Sequence, residues 1–197
     1  RDIPNPDLKG DFQFRGEVCR NTLLSTLYRL DSAQYDIGLM LFGHRTFVVK
    51  NALGRFEIRL NGIGLEQGLK PGAINPSQDV KQEFDVGRLG EEARKRMRDL
   101  LDRVRFHNGS YSPLYRALID AITELDRQEF ADSPRHVVVL TDGVNFVDED
   151  EPTENRKLLD DVFKRKDAVK SADSDSAIQI HIVFFGPDVF ALKELRG

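Results

Sequence analysis

Three short apolar runs, each bounded by turn residues and separated by segments of helical period, constrain this chain more than any other feature. Tyr35-Asp-Ile-Gly-Leu-Met-Leu-Phe-Gly43 and Arg135-His-Val-Val-Val-Leu-Thr-Asp-Gly143 carry apolar side chains at successive positions, and the stretch 178–185 reads as a third core strand. A strand with one wet face alternates apolar and polar residues. A run that does not alternate reads as a strand covered on both faces, as in a parallel sheet between helices. Helical spacing fills the intervals. It is seen at Cys19, Leu23, Leu27 and Leu30, at Ala93, Met97, Leu100, Leu101 and Val104, and at Leu158, Leu159, Val162, Phe163 and Val169. The cleanest case is Leu114, Ala117, Leu118, Ala121, Ile122 and Leu125. Strands alternating with helices imply right-handed crossovers. The expected fold is therefore α/β, a doubly wound, mostly parallel sheet with helices on both faces, formed by residues 1–197 as a single domain.

The remaining segments fit around that frame. Pro4, Pro6, Gly10 and Gly16 make residues 1–16 an irregular leading segment, in which Phe12 and Phe14 alternate with polar neighbours as a short strand would. Residues 46–50 and 56–60 read as strands joined by a turn at Leu53-Gly-Arg55, and 79–86 as an edge strand. Residues 61–78 carry four glycines and two prolines and read as a surface insertion. Ser112 and Pro113 suit the N-cap and first turn of the helix that begins at Leu114.

The charges nearly cancel, 29 Lys and Arg against 33 Asp and Glu. No basic excess is available to displace phosphate counterions, so no nucleic-acid partner is expected. The longest apolar run is about six residues against the roughly 20 that span a bilayer, so no membrane insertion by this domain is expected. The single cysteine, Cys19, rules out an internal disulfide and a cysteine-based zinc site, and on its helical face it reads as core filler. The chain begins at Arg1 without a signal-like segment and reads as part of a longer product, its compartment unspecified.

In open α/β sheets, function gathers at the carboxyl ends of strands. Leu140-Thr-Asp-Gly143 lies at such an end, and Gly109-Ser-Tyr-Ser-Pro-Leu-Tyr-Arg-Ala117 presents Ser112 at a helix start. Taken singly, Asp142 is turn chemistry and Ser112 a helix cap. Together, in this order and separated by an amphipathic helix and an apolar strand, they resemble the von Willebrand factor A domain. The helix over 17–30 and the run 35–43 look like that family's first helix and second strand. Ser112-Pro-Leu looks like its Thr-Pro-Leu loop, and His136-Val-Val-Val-Leu-Thr-Asp-Gly-Val144 like its fourth strand.

The resemblance implies a Rossmann-like sheet with a metal-ion-dependent adhesion site on its upper edge. There Mg²⁺ (or Mn²⁺ or Ca²⁺) is held by hydroxyls and few carboxylates, and a partner's carboxylate completes the shell. Such hard ions take oxygen ligands, and Mg²⁺ keeps several waters. Ser112 matches the hydroxyl ligand and Asp142 the aspartate. The family's Asp-x-Ser-x-Ser motif occurs nowhere in the 197 residues. Either the first strand and its motif lie upstream of Arg1, or this chain has lost both. The resemblance thus implies a non-enzymatic protein-interaction module with Ser112 and Asp142 as metal ligands, or else a metal-free scaffold subunit of a larger complex.

A third reading is a small α/β hydrolase using Ser112 with His107 and Asp142, although no G-x-S-x-G elbow is present. The acidic run 148–151 reads as a solvated loop, with a second cation site as its alternative. His44, His107, His136 and His181 show no sequence spacing that places two on one metal. The basic residues 94, 95, 96, 98 and 103, interleaved with acids, read as a solvated helix face.

Overall fold

The computed structural model describes residues 8–30, 34–60, 74–75, 78–104, 112–130, 133–141, 152–168 and 177–184. The chain divides into two compact units, Arg1–Tyr111 and Ser112–Gly197.

The first unit holds α1 (Leu8–Arg29), β1 (Asp36–Phe42), β2 (Thr46–Lys50), β3 (Phe56–Leu60), β4 (Val80–Arg88) and α2 (Glu91–Arg103). β1 pairs antiparallel with β4, from Asp36 opposite Arg88 to Phe42 opposite Val80. β4 has nine residues and β1 seven, and the register shifts twice, between Ile37 and Leu39 and between Leu39 and Met40. Each shift is a bulge that places an extra β4 residue opposite β1 and tightens the local twist. Gly38 sits at the first of them. A Cβ there would lie 2.9 Å from Val86 Cγ2 and 3.2 Å from the Phe84 carbonyl, so the close approach of the strands requires glycine. β2 and β3 form a separate antiparallel hairpin, in register from Thr46 opposite Leu60 to Lys50 opposite Phe56. Its turn is built by Asn51, whose Oδ1 accepts the N–H groups of Leu53 and Arg55, with Gly54 at φ 76°.

α2 shows why its sequence folds as it does. Glu91 and Glu92 occupy its first turn and Arg103 its last, matching the helix dipole. Its apolar stripe buries Met97 and Leu101. These join Leu27 and Leu89 in the unit's core, with Leu23, Leu24, Ile37, Leu39 and Phe84 packed around them. Each such side chain contributes about 2 kcal/mol by leaving water. Arg94, one turn before Met97 on the same stripe, also secures the helix pair. Its guanidinium donates to the Leu27 carbonyl, to the Leu30 carbonyl at 2.5 Å and to the Leu89 carbonyl at 3.2 Å. It thereby satisfies acceptors at the end of α1 that the helix itself leaves open. Arg94 therefore does not belong to the solvated face expected for residues 94–103. Arg98 stacks over Tyr28 at 4.8 Å and Arg96 over Phe84 at 5.7 Å.

The second unit holds α3 (Leu114–Leu125), a 3-10 turn (Gln128–Phe130), β5 (Arg135–Thr141), α4 (Pro152–Ala168) and β6 (Ile178–Phe184). β5 and β6 are parallel, from Arg135 opposite Ile178 to Thr141 opposite Phe184. α3 buries Leu114, Tyr115, Leu118, Ile119 and Ile122, and packs on α4 and β5. Buried Arg135 donates to the Leu125 carbonyl at 3.2 Å, closing the end of α3. Arg165 of α4 donates to Thr123 Oγ1 at 2.9 Å.

The expected doubly wound, mostly parallel sheet is not what forms. The described strands make three two-stranded sheets, of which β1–β4 and β2–β3 are antiparallel and only β5–β6 is parallel. The apolar runs mark strands, but a residue's fit to a pleated, half-buried surface does not say how many faces are covered or which way the partner strand runs. In β5, Val137 and Val139 are buried while Val138 between them is 59% exposed. Three consecutive valines mark a strand, not a strand covered twice. β1 differs: Leu39 to Phe42 are half-buried at successive positions, yet the strand's partner runs antiparallel. The leading segment differs too: α1 starts at Leu8 and runs through Phe12, Phe14, Gly10 and Gly16, so there is no strand at 12–14. A glycine costs a helix only about 1 kcal/mol, which a long helix packed on a neighbour absorbs. Most of the expected insertion at 61–78 lies outside the described residues.

Candidate functional site

Ser112 lies at the start of α3, but not as its cap. Pro113 holds the cap position with φ −76° and ψ 58°, and the Leu114 N–H donates to the Ser112 carbonyl at 2.8 Å. These dihedrals and this bond are those of an inverse γ-turn. The first helical bond runs from the Ala117 N–H to the Pro113 carbonyl at 3.0 Å. The expected Ser112 N-cap is thus displaced, because proline's fixed φ and the tight turn end the loop one residue later. Ser112 is half-buried in this turn. β5 ends at buried Thr141. Asp142, the expected carboxylate ligand, lies outside the described residues, as do His107 and residues 148–151. Neither the Ser112–Asp142 pair nor the Ser112–His107–Asp142 triad is therefore among the described geometry.

Two histidines that sequence spacing kept apart are brought together. His136 of β5 and His181 of β6 lie 45 positions apart, yet His136 Nδ1 and His181 Nε2 are 3.1 Å from each other. Their ring centroids are separated by 5.4 Å and the planes inclined by 30°. Both rings are exposed. The parallel register sets Gln179 opposite His136 and His181 opposite Val138, so the imidazoles meet diagonally on one face. Only knowledge of the strand pairing could have revealed this. Local spacing carries no trace of it.

The first unit contains a buried ionic cluster that sequence reasoning missed. Asp79, fully buried, receives the Arg45 N–H at 2.8 Å, the Thr46 N–H at 2.9 Å and the Thr46 hydroxyl at 3.1 Å on Oδ2. Its Oδ1 receives Arg45 Nε at 2.6 Å. Arg45 also donates to the Val80 carbonyl at 3.1 Å, and the Asp79 carbonyl accepts the Gly43 N–H at 2.7 Å. One side chain at the foot of β4 thus satisfies the turn linking β1 to β2. A buried carboxylate is tolerable only when paired and fully hydrogen-bonded, and this one is both. With its oxygens engaged by four donors, Asp79 is arranged to hold backbone rather than to accept a substrate proton.

Buried His44 in the same turn places Nε2 3.3 Å from Glu83 Oε1, and Lys81 lies 3.4 Å from Glu83 Oε2. Burial lowers the His44 pKa from its ordinary value, against the raising effects of Asp79 and Glu83. The chemical signal for this cluster was faint: one Asp after a Pro-Ser-Gln stretch and a His-Arg-Thr turn 33 residues earlier.

Among the described residues, no group of three or more His, Cys, Asp or Glu side chains is placed to hold a metal ion. No described helix is long and apolar enough to cross a membrane. Comparison of the chain with protein-family models, with curated proteins and with solved structures finds no match.

Proposed function

We propose that this chain is a non-enzymatic protein-interaction module, similar in its site to the von Willebrand factor A domain, that docks its partner at the carboxyl end of β5 around Ser112 and Asp142. One observation carries the reading. β5 ends at Thr141, immediately before Asp142 in sequence, and the helix packed on β5 begins just after Ser112. A hydroxyl-bearing loop ahead of a helix, and an aspartate following a strand in parallel pairing, are the arrangement from which strand-end recognition sites are built.

The fit to a resident ion is poorer. A hydroxyl and a carboxylate are the right kind of donor for Mg²⁺, but an octahedral ion takes six oxygens, and Ser112 and Asp142 by themselves supply two ligands with one negative charge. That set does not fit a tightly held ion, and the recognition proposed here does not run through one. Ser112 would offer a hydrogen bond and Asp142 a charge, the latter suited to a lysine or arginine of the partner.

The test compares the 197-residue chain with Ser112→Ala and Asp142→Ala as affinity baits in a native extract of the source cells. A protein retained by the parent chain and lost by both variants, each still folded by circular dichroism, supports the reading. Equal retention by the parent and both variants, or no retained protein, contradicts it.

A further inference from the structure

We propose that His136 and His181 form a two-imidazole chelating site for a late divalent transition ion, of the class Zn²⁺, Ni²⁺ or Cu²⁺, held across β5 and β6. The site is distinct from the Ser112 and Asp142 edge and does not depend on it.

The geometry is the first argument. His136 Nδ1 and His181 Nε2 are 3.1 Å apart. Imidazole nitrogens bound to one such ion at about 2.0–2.1 Å are separated by about 2.9 Å at a right angle and about 3.4 Å at a tetrahedral one. The observed distance falls between these limits. The backbone needs no rearrangement, because the in-register parallel pairing already sets the two Cβ positions. Both rings are exposed, so their side-chain torsions have room to turn the two lone pairs from facing each other to a common point.

The chemistry is the second. Each neutral imidazole carries one N–H and one acceptor nitrogen, so the present contact has a proton on one of the two facing atoms. Chelation requires the proton of His136 on Nε2 and that of His181 on Nδ1. One ring therefore exchanges tautomers and no net proton is released from the neutral pair. Imidazole suits late transition ions and not Mg²⁺ or Ca²⁺, and affinity should follow the order in which Cu²⁺ exceeds Ni²⁺ and Zn²⁺. The neighbouring residues on this face, Val138, Gln179 and Val183, are exposed and uncharged. Water completes the shell, leaving the ion open to exchange or to a further ligand.

The strand pairing gives the third. An ion gripping β5 and β6 at once binds only where the two strands are paired, so it must stabilise the folded unit.

Calorimetric titration of the full 197-residue chain with NiCl₂ and with ZnCl₂, beside His136→Gln, His181→Gln and the double variant, tests this directly. Both side chains are exposed, so the variants are expected to keep the parent circular dichroism spectrum. The expected result is one ion per chain, with affinity at least tenfold weaker in each single variant and not appreciably weaker again in the double. Saturating Ni²⁺ should also raise the melting temperature of the parent and not of the variants. Isotherms that coincide for the parent and both single variants would overturn the proposal, as would the absence of binding by the parent.

Discussion

The carboxylate of Asp79 accepts the backbone N–H of Thr46 at 2.9 Å across 33 positions of sequence. Through this bond and those to Arg45, the end of the β4 strand fixes the turn between β1 and β2, and so joins a strand pair to the hairpin that follows it. Removing the carboxylate strands four donors and leaves Arg45 without its charge partner. Asp79→Ala should therefore cost about 3–5 kcal/mol, with Asp79→Asn, which keeps one acceptor, falling between it and the parent. Urea unfolding followed by amide exchange of β2 and β4 measures this. A loss below about 1 kcal/mol, the ordinary scale of a surface pair, would show that the network holds nothing in place.

Arg94 is the second long-range tie. Arg94→Ala should leave the Leu27, Leu30 and Leu89 carbonyls without their charged donor. The expected cost is about 1–3 kcal/mol, seen as faster amide exchange in the last turn of α1 than in its middle. Arg94→Lys should rescue little, because an ammonium cannot reproduce the guanidinium's planar array of donors.

His44 sets a pH dependence of definite sign. Burial lowers its pKa in the folded chain from the ordinary 6.5, despite the neighbouring Asp79 and Glu83 carboxylates, with Arg45 acting in the same direction as burial. Below that value the unfolded chain takes up the proton more readily than the folded one, so this contribution to stability is complete above about pH 6.5 and is lost as pH falls below it. His44→Gln should flatten the dependence between pH 7.5 and the folded pKa. Unfolding midpoints of the parent and variant across that interval, if they stay parallel, would show that His44 does not contribute it.

Gly38 tests the bulged strand pair. Gly38→Ala drives a methyl group to within 2.9 Å of Val86 Cγ2 and 3.2 Å of the Phe84 carbonyl. Overpacking of this kind costs about 1–3 kcal/mol. Val86→Ala in the same chain should recover part of the loss. A double variant no better than the sum of the two single ones would place the strain elsewhere.

Local structure was legible in the sequence and pairing was not. The hairpin strands Thr46–Lys50 and Phe56–Leu60, and the helix Leu114–Leu125, emerge at the boundaries that alternation and helical period imply. Strand partnership is different in kind. Nothing in the β1 residues says that their neighbour is β4, reached antiparallel through two bulges. The same blindness hid the site chemistry. His136 and His181 meet through register, Asp79 and Thr46 through a long loop closure, and Arg94 reaches α1 from a helix whose charges otherwise look solvated. Ser112 was legible as a loop residue preceding a helix, whereas the inverse γ-turn at Pro113 that displaces it from the cap depends on backbone angles composition does not encode.

The proposed recognition edge requires Ser112 and Asp142 to stand together in the folded chain. Paramagnetic relaxation measures this most directly: a nitroxide is attached to Ser112→Cys in a Cys19→Ser background, and amide intensities are read along the sequence. The account predicts that the amides of Asp142 and Gly143 are broadened beyond detection and recover full intensity once the nitroxide is reduced. Undiminished signals at Asp142 and Gly143 would contradict it.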